Sequence, residues 1–130
     1  MFDKISFNHF FLETKTLIDA RWVPFINPET QTFFKSGSVY FALSFNPGNV
    51  YVNLMVGKES DNAEGMRGLI KELKQSGVRF LRFGTYSKNK RILALYRYIQ
   101  AQFVKQIDNY YNDGDAYVEY ELDLDATARF

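Results

Sequence analysis

The chain has no cysteine, one histidine and three prolines in 130 residues, and each shortage removes a class of chemistry. Without thiols there is no disulfide framework, no thiolate metal site and no cysteine nucleophile. The lone His9 rules out a metal site built on several imidazoles, so no metal is expected. Charge of one sign is also lacking: a formal net charge of +1 provides no electrostatic footprint for a nucleic acid. No apolar run reaches the length of a membrane span, and Asp3 and His9 interrupt the N-terminal aromatics where a signal peptide would need an unbroken apolar core. These absences predict a cytoplasmic chain with no membrane partner. Nothing reads as a linker, and the length suits one domain over residues 1–130.

Aromatic residues are plentiful, at 18% of the chain, which favours a well-packed core containing strands and leaves aromatic surface for a ligand. The stretch that organises the rest is 50–74. Val50, Tyr51, Val52, Leu54, Met55 and Val56 have the composition of a strand covered on both faces. From Gly65 onward Met66, Leu69, Ile70 and Leu73 fall at helical spacing, and Ser76 and Gly77 end the helix. A strand, a polar loop and a helix start in that order form an anion site, because the first turn of a helix has free N–H groups and the positive end of its dipole. On this reading Gly65 and Gly68 let a ligand approach the backbone.

Residues 1–17 mix alternating and helical spacings, best read as a short strand followed by a helix. Residues 21–34 are expected to form a loop with at most a helical turn after Pro28. Its Trp22, Phe25, Phe33 and Phe34 serve either as a wall for substrate or as core. Residues 37–45 alternate as a strand and join 50–56 through Asn46-Pro47-Gly48-Asn49 as an antiparallel hairpin. Residues 78–83 form the next strand, parallel to 50–56 by the crossover rule. Residues 89–101 form a second amphipathic helix, and 103–111 and 116–124 form a hairpin about Asn112-Asp113-Gly114-Asp115. The tail 125–130 is expected to fray.

The element order, with Asn89-Lys90-Arg91-Ile92-Leu93-Ala94-Leu95-Tyr96 on the second helix and Asn62-Ala63-Glu64-Gly65-Met66-Arg67 before the first, resembles the GNAT acetyltransferase superfamily over roughly 37–124. The resemblance implies an α+β fold, a mixed sheet flanked by helices, and transfer of an acetyl group from acetyl-coenzyme A to an amine-bearing small molecule or protein. It places the thioester carbonyl at the strand-end amides of Leu54, Met55 and Val56. It assigns the coenzyme pyrophosphate to Asn62, Gly65, Met66, Arg67 and Gly68, and the second cofactor motif to Asn89. The family's proton donor to the leaving thiolate corresponds to Tyr96, whose other reading is a core tyrosine.

Three departures from the family pattern stand out. Asn62 replaces the usual Gln or Arg. Arg67 stands where a Gly or Ala is usual, and either adds a phosphate contact or fills the site. Gln100-Ala101-Gln102-Phe103 replaces the Gly-Phe that ordinarily follows the second helix.

Acyl transfer to an ammonium also needs a base. Glu13, Asp19, Glu59 and His9 are the candidates, with His9 otherwise packed among Phe7, Phe10 and Phe11. Lys88, Lys90 and Arg91 either form a solvated helix start or meet coenzyme phosphates. The alternative function is a non-catalytic GNAT-like binding or virion accessory module that has lost the coenzyme. The aromatic C-terminal strands offer an edge for a homodimer.

Overall fold

The computed structural model describes residues 2–126. Its elements run β1 (Phe2–Ile5), α1 (Phe7–Thr14), a 3-10 segment (Ala20–Phe25), β2 (Thr32–Ser36), β3 (Val39–Asn46), β4 (Asn49–Val56), α2 (Glu59–Gln75), β5 (Phe80–Tyr86), α3 (Lys90–Tyr98), β6 (Gln102–Ile107) and β7 (Tyr117–Asp123). The strands form one seven-stranded sheet in the order β1-β2-β3-β4-β5-β7-β6. Among the described residues only β4 and β5 pair in parallel, with Val50 opposite Leu81. This is the mixed sheet expected from sequence.

Helices cover both faces. Met66, Leu69, Ile70 and Leu73 of α2, with Tyr96 and Ile99 at α3, pack on Val39, Phe41, Leu43, Val50, Val52, Leu81 and Phe83. On the other face Phe10 of α1 packs with Phe33, Ala42, Leu54 and Val56. One irregularity in β4 divides its side chains between the faces. Ala42 pairs with Leu54 but the next residue, Leu43, pairs with Val52, so Asn53 is an extra residue in a β-bulge. Val50 and Val52 therefore point to α2 and α3, while Leu54 and Val56 point to α1. Without the bulge, alternation would send all four to one side.

Several expectations need correction. α2 begins at Glu59, one full turn and more before Gly65, so the polar residues 59–64 are helix and not loop. The helical turn after Pro28 is present, with the Thr30 and Gln31 N–H groups donating to the Asn27 carbonyl, but a second one, not expected, lies earlier at Ala20–Phe25, where Asp19 caps it by accepting from the Arg21 N–H. Thr32–Ser36 is a strand paired with both neighbours, not the end of a loop. Tyr110 and Tyr111 leave the β6–β7 hairpin altogether, because their rings pack inward against Phe25 and Tyr117. Asp125 and Ala126 form a turn after β7, and residues 127–130, part of the predicted tail, lie outside the described residues. No helix is long and apolar enough to cross a membrane among the described residues.

Candidate active site

β4 and β5 are ladder partners only at Asn49, Val50 and Tyr51, opposite Phe80, Leu81 and Arg82. Beyond that point the strands splay, and the edge of β4 from Val52 to Val56 faces β5 with no strand to satisfy its N–H and C=O groups. The gap is a cleft of about 290 Å³ lined by residues 52–57 of β4 and its end, by Gly84, Thr85 and Tyr86 of β5, and by Asn62, Asn89 and Tyr96 of the helices. Aromatic residues close its other end, among them Trp22, Tyr51, Tyr110, Tyr111 and Tyr117.

On the α3 side, Asn89 caps the helix by accepting from the Ile92 N–H and donates its amide to Thr85 Oγ1 at 3.2 Å. Tyr96, about two helical turns further on, is buried against Phe83, with ring centroids 4.4 Å apart. Its hydroxyl donates to the carbonyl of Gly84 at 3.1 Å. Burial pushes the phenol well above the ordinary tyrosine range, so it is a neutral O–H at physiological pH.

On the opposite face the hydroxyls of Tyr51 and Tyr117 are in direct hydrogen-bonding contact. Tyr117 donates to Glu119 Oε1 at 3.2 Å, and Glu119 is only 4% exposed. Arg82 reaches Glu119 Oε2 at 3.4 Å and holds Glu121 at 2.8 Å. Burial raises Tyr51 to about 12 and Tyr117 further still, which keeps both protonated.

At the mouth, Arg21 bonds Asp115 at 3.0 Å and lies over the rings of Tyr86 and Tyr111, 4.8 and 5.5 Å from their centroids. Lys88 reaches Asp115 at 2.9 Å, and these two cations hold its carboxyl below the usual range.

No protein-family model matches the chain, and no curated protein matches its sequence. Solved structures do match. The ribosomal-protein-S18-alanine N-acetyltransferase of Escherichia coli superposes with a TM-score of 0.74 at 14% identity, over 95% of this chain and 93% of that one. An acetyltransferase of the GNAT family from Desulfovibrio desulfuricans gives 0.68 at 13%, over 95% and 98%. A Bacillus subtilis acetyltransferase in complex with CoA gives 0.69 at 14%, over 94% and 97%. The chain has the GNAT fold.

Within this GNAT fold the residues singled out from sequence separate into two groups. Leu54, Met55, Val56, Asn62, Met66, Asn89 and Tyr96 all line the cleft. Gly65, Arg67 and Gly68 do not. A Cβ on Gly65 would stand 2.5 Å from Val39 Cβ, and one on Gly68 would stand 2.1 Å from Ser36 Oγ. Both glycines therefore let α2 lie close on the sheet, and the space beside them holds protein, not phosphate. Arg67 is more than half exposed and pairs with Glu64 at 3.6 Å.

Of the candidate bases, Asp19 and Glu59 line the cleft. His9 is not packed among its aromatic neighbours: its side chain is 42% exposed beside Glu13 on the outside of α1. Phe33 is core and Phe34 packs against the core on the other face, whereas Trp22 and Phe25 line the cleft, so the four aromatics of 21–34 divide between the two roles. Sequence reasoning missed Tyr51, Tyr117 and Glu119. The signal was the alternation of Tyr117, Glu119 and Glu121 along one face of β7, which a carboxylate's usual preference for solvent obscured.

Two features of the cleft bear on an acyl-coenzyme A. Its amide-bearing arm fits: the open edge of β4 offers unpaired backbone groups, and Asn62 Oδ1 is buried there with no hydrogen-bonding partner. The phosphate end fits less closely. The first turn of α2 has an N-cap, Lys58, without a side-chain cap bond, but it also contains Glu59 and Asp61. Arg91 pairs with Glu59 at 3.1 Å and Ser38 donates to Asp61 at 2.8 Å, which offsets part of that negative charge.

Proposed function

We propose that residues 1–130 act as one domain that transfers an acetyl group from acetyl-coenzyme A to an amine. The observation that carries this reading is the splayed β4–β5 cleft, with the Asn53 bulge on one wall and the Tyr96 hydroxyl on the other. A thioester supplies an activated acyl carbon and a thiolate leaving group. Leu54, Met55 and Val56 stand along the open edge, where an extended amide arm can add to β4 as a strand would. Backbone N–H groups beside the bulge suit the developing oxyanion, because they are oriented before the reaction begins. Tyr96, kept protonated by burial, suits protonation of the departing sulfur.

The test is binding, which needs no knowledge of the acceptor. Acetyl-coenzyme A at about 100 times its dissociation constant stabilises a native-specific binder by roughly 2.7 kcal/mol. For a chain of this length that corresponds to a melting-temperature rise on the order of 10 °C. A cooperative melt that millimolar acetyl-coenzyme A leaves unmoved overturns the proposal. Glu59 and Asp61 favour a second reading, a GNAT-like accessory module without coenzyme, and that result would support it.

A further inference from the structure

We propose that the aromatic end of the cleft seats the ammonium head of a primary amine among Trp22, Tyr51, Tyr110 and Tyr111, and that one of its protons passes through Tyr51 and Tyr117 to Glu119. The inference rests on the acyl-transfer reading and names its acceptor class.

The direction of the hydrogen bonds carries it. A phenol has one proton to donate. Tyr117 donates its proton to the Glu119 carboxylate, so the contact between Tyr117 and Tyr51 must use the proton of Tyr51. The Tyr51 oxygen is left with a lone pair for an outside donor, and Tyr51 lines the cleft. An ammonium N–H is such a donor. The chain of oxygens ends on a carboxylate buried beneath the cleft and paired with the half-exposed Arg82.

The surrounding wall also suits a cation. The protein already lays its own guanidinium, that of Arg21, across two tyrosine rings of this end. Arg21 is itself matched by Asp19, Asp113 and Asp115, so it does not leave the mouth positive. The groups facing Glu119 are Arg82 from β5, Tyr117 and Glu121 from β7, Tyr51 through Tyr117 from β4, Tyr110 stacked on Tyr117 from the β6–β7 connection, and Lys105, opposite it in the ladder, from β6.

One ammonium proton moves to Tyr51, whose own proton moves to Tyr117, whose proton moves to Glu119. The freed nitrogen pair forms the C–N bond at the thioester carbonyl carbon as the C–S bond breaks. Tyr96 protonates the departing sulfur, and the nitrogen's second surplus proton replaces the one that Tyr96 gives up, leaving amide and thiol.

Phenethylamine is the probe, because it joins a primary ammonium to an aromatic ring. Turnover with acetyl-coenzyme A is followed by thiol release, which a cysteine-free chain reports without background. At pH 7.5, Glu119→Gln and Tyr51→Phe should each lower kcat by about 10²-fold, the range of a positioned proton acceptor, with KM for acetyl-coenzyme A unchanged. Glu119→Asp should recover part of the loss. At pH 9.5 the free-amine fraction is higher by nearly two decades for an amine that titrates near the lysine value of about 10, and the defects should shrink at least tenfold. A purely structural loss would not respond in this way.

If Glu119→Gln does not fold, Tyr51→Phe, which removes a single oxygen, decides alone. Variants that match wild type overturn the inference, as does a defect independent of pH. A wild type that shows the acetyl-coenzyme A melting shift yet neither acetylates phenethylamine nor changes the fluorescence of Trp22, its one tryptophan, overturns the inference and leaves the donor reading intact. Absence of the melting shift overturns the donor reading itself.

Discussion

The ring of Tyr117 occupies the place where a side chain on Gly84 would be. A Cβ built on Gly84 would stand 2.4 Å from both Cζ and the hydroxyl oxygen of Tyr117. Gly84 stands opposite Glu119 in the β5–β7 ladder, two pairs from Tyr117's own. The missing side chain lets the tyrosine lie across β5 and meet Tyr51 on β4. The carbonyl of the same Gly84 accepts from Tyr96 on the other side of the sheet.

Gly84→Ala should therefore displace Tyr117 and break its contact with Tyr51. Overpacking of this kind costs about 1–3 kcal/mol, to be read from urea unfolding. Gly84→Ala together with Tyr117→Phe should remain strained, since the ring is still in the way, whereas a Tyr117→Ala background should tolerate Gly84→Ala.

Gly65→Ala sets two effects against each other. In an exposed helix the change gains about 0.5–1 kcal/mol. Here the new methyl would sit within 2.9 Å of three Val39 side-chain atoms, and the roughly 1–3 kcal/mol cost of overpacking outweighs the gain. The melting temperature should fall. In a Val39→Ala background the same substitution should cost much less, and additivity in that double-mutant cycle would refute the contact.

Gln100 has φ 64°, directly after the Ile99 C-cap of α3. The Ala101 N–H reaches back to the Tyr96 carbonyl at 3.0 Å, the bond that closes a helix end on a left-handed residue. Glycine suits that position. Gln100→Gly should stabilise the chain by about 1 kcal/mol, the order of the penalty a side chain incurs in the left-handed region. An unchanged or lower melting temperature would refute this.

Glu59 and Asp61 in the first turn of α2 should limit affinity for the coenzyme's phosphates. At about 4 Å a unit charge pair in water is worth roughly 1 kcal/mol, so Glu59→Gln with Asp61→Asn should tighten acetyl-coenzyme A binding by several-fold to tenfold. The apo protein should lose about 0.3–1 kcal/mol per carboxylate, because both complement the helix dipole. Calorimetric titration at low ionic strength measures the first effect and thermal unfolding the second.

Tyr96→Phe should slow acetyl transfer by about 10²-fold if the hydroxyl protonates the thiolate. It should also cost about 1–3 kcal/mol, since the Gly84 carbonyl loses a buried donor. Acetyl-coenzyme A affinity should be retained. A variant with the stability loss but full turnover would make Tyr96 a core residue only.

The local elements were legible because each rests on short-range physics. The alternation in β3, the β-branched and aromatic run of β4, the turn at Pro47 and Gly48, the apolar stripe Met66, Leu69, Ile70 and Leu73, and the stop at Gly77 all act over a few residues. The parallel pairing of Val50 with Leu81 followed from the handedness of a crossover. The Asn89 to Tyr96 spacing placed two polar groups one above the other on α3, where the cleft finds them.

Other features exist only in three dimensions. The bulge at Asn53 depends on how β3 pairs with β4, and no residue type announces it. Gly65 and Gly68 were indistinguishable in sequence from a phosphate cradle. They proved to be contact points because Val39 and Ser36, far away along the chain, come to lie beneath them. Glu119 in a strand reads as a solvent-facing carboxylate. It is buried because Tyr117 and Arg82, brought together by the β5–β7 ladder, satisfy a charge that could not otherwise leave water.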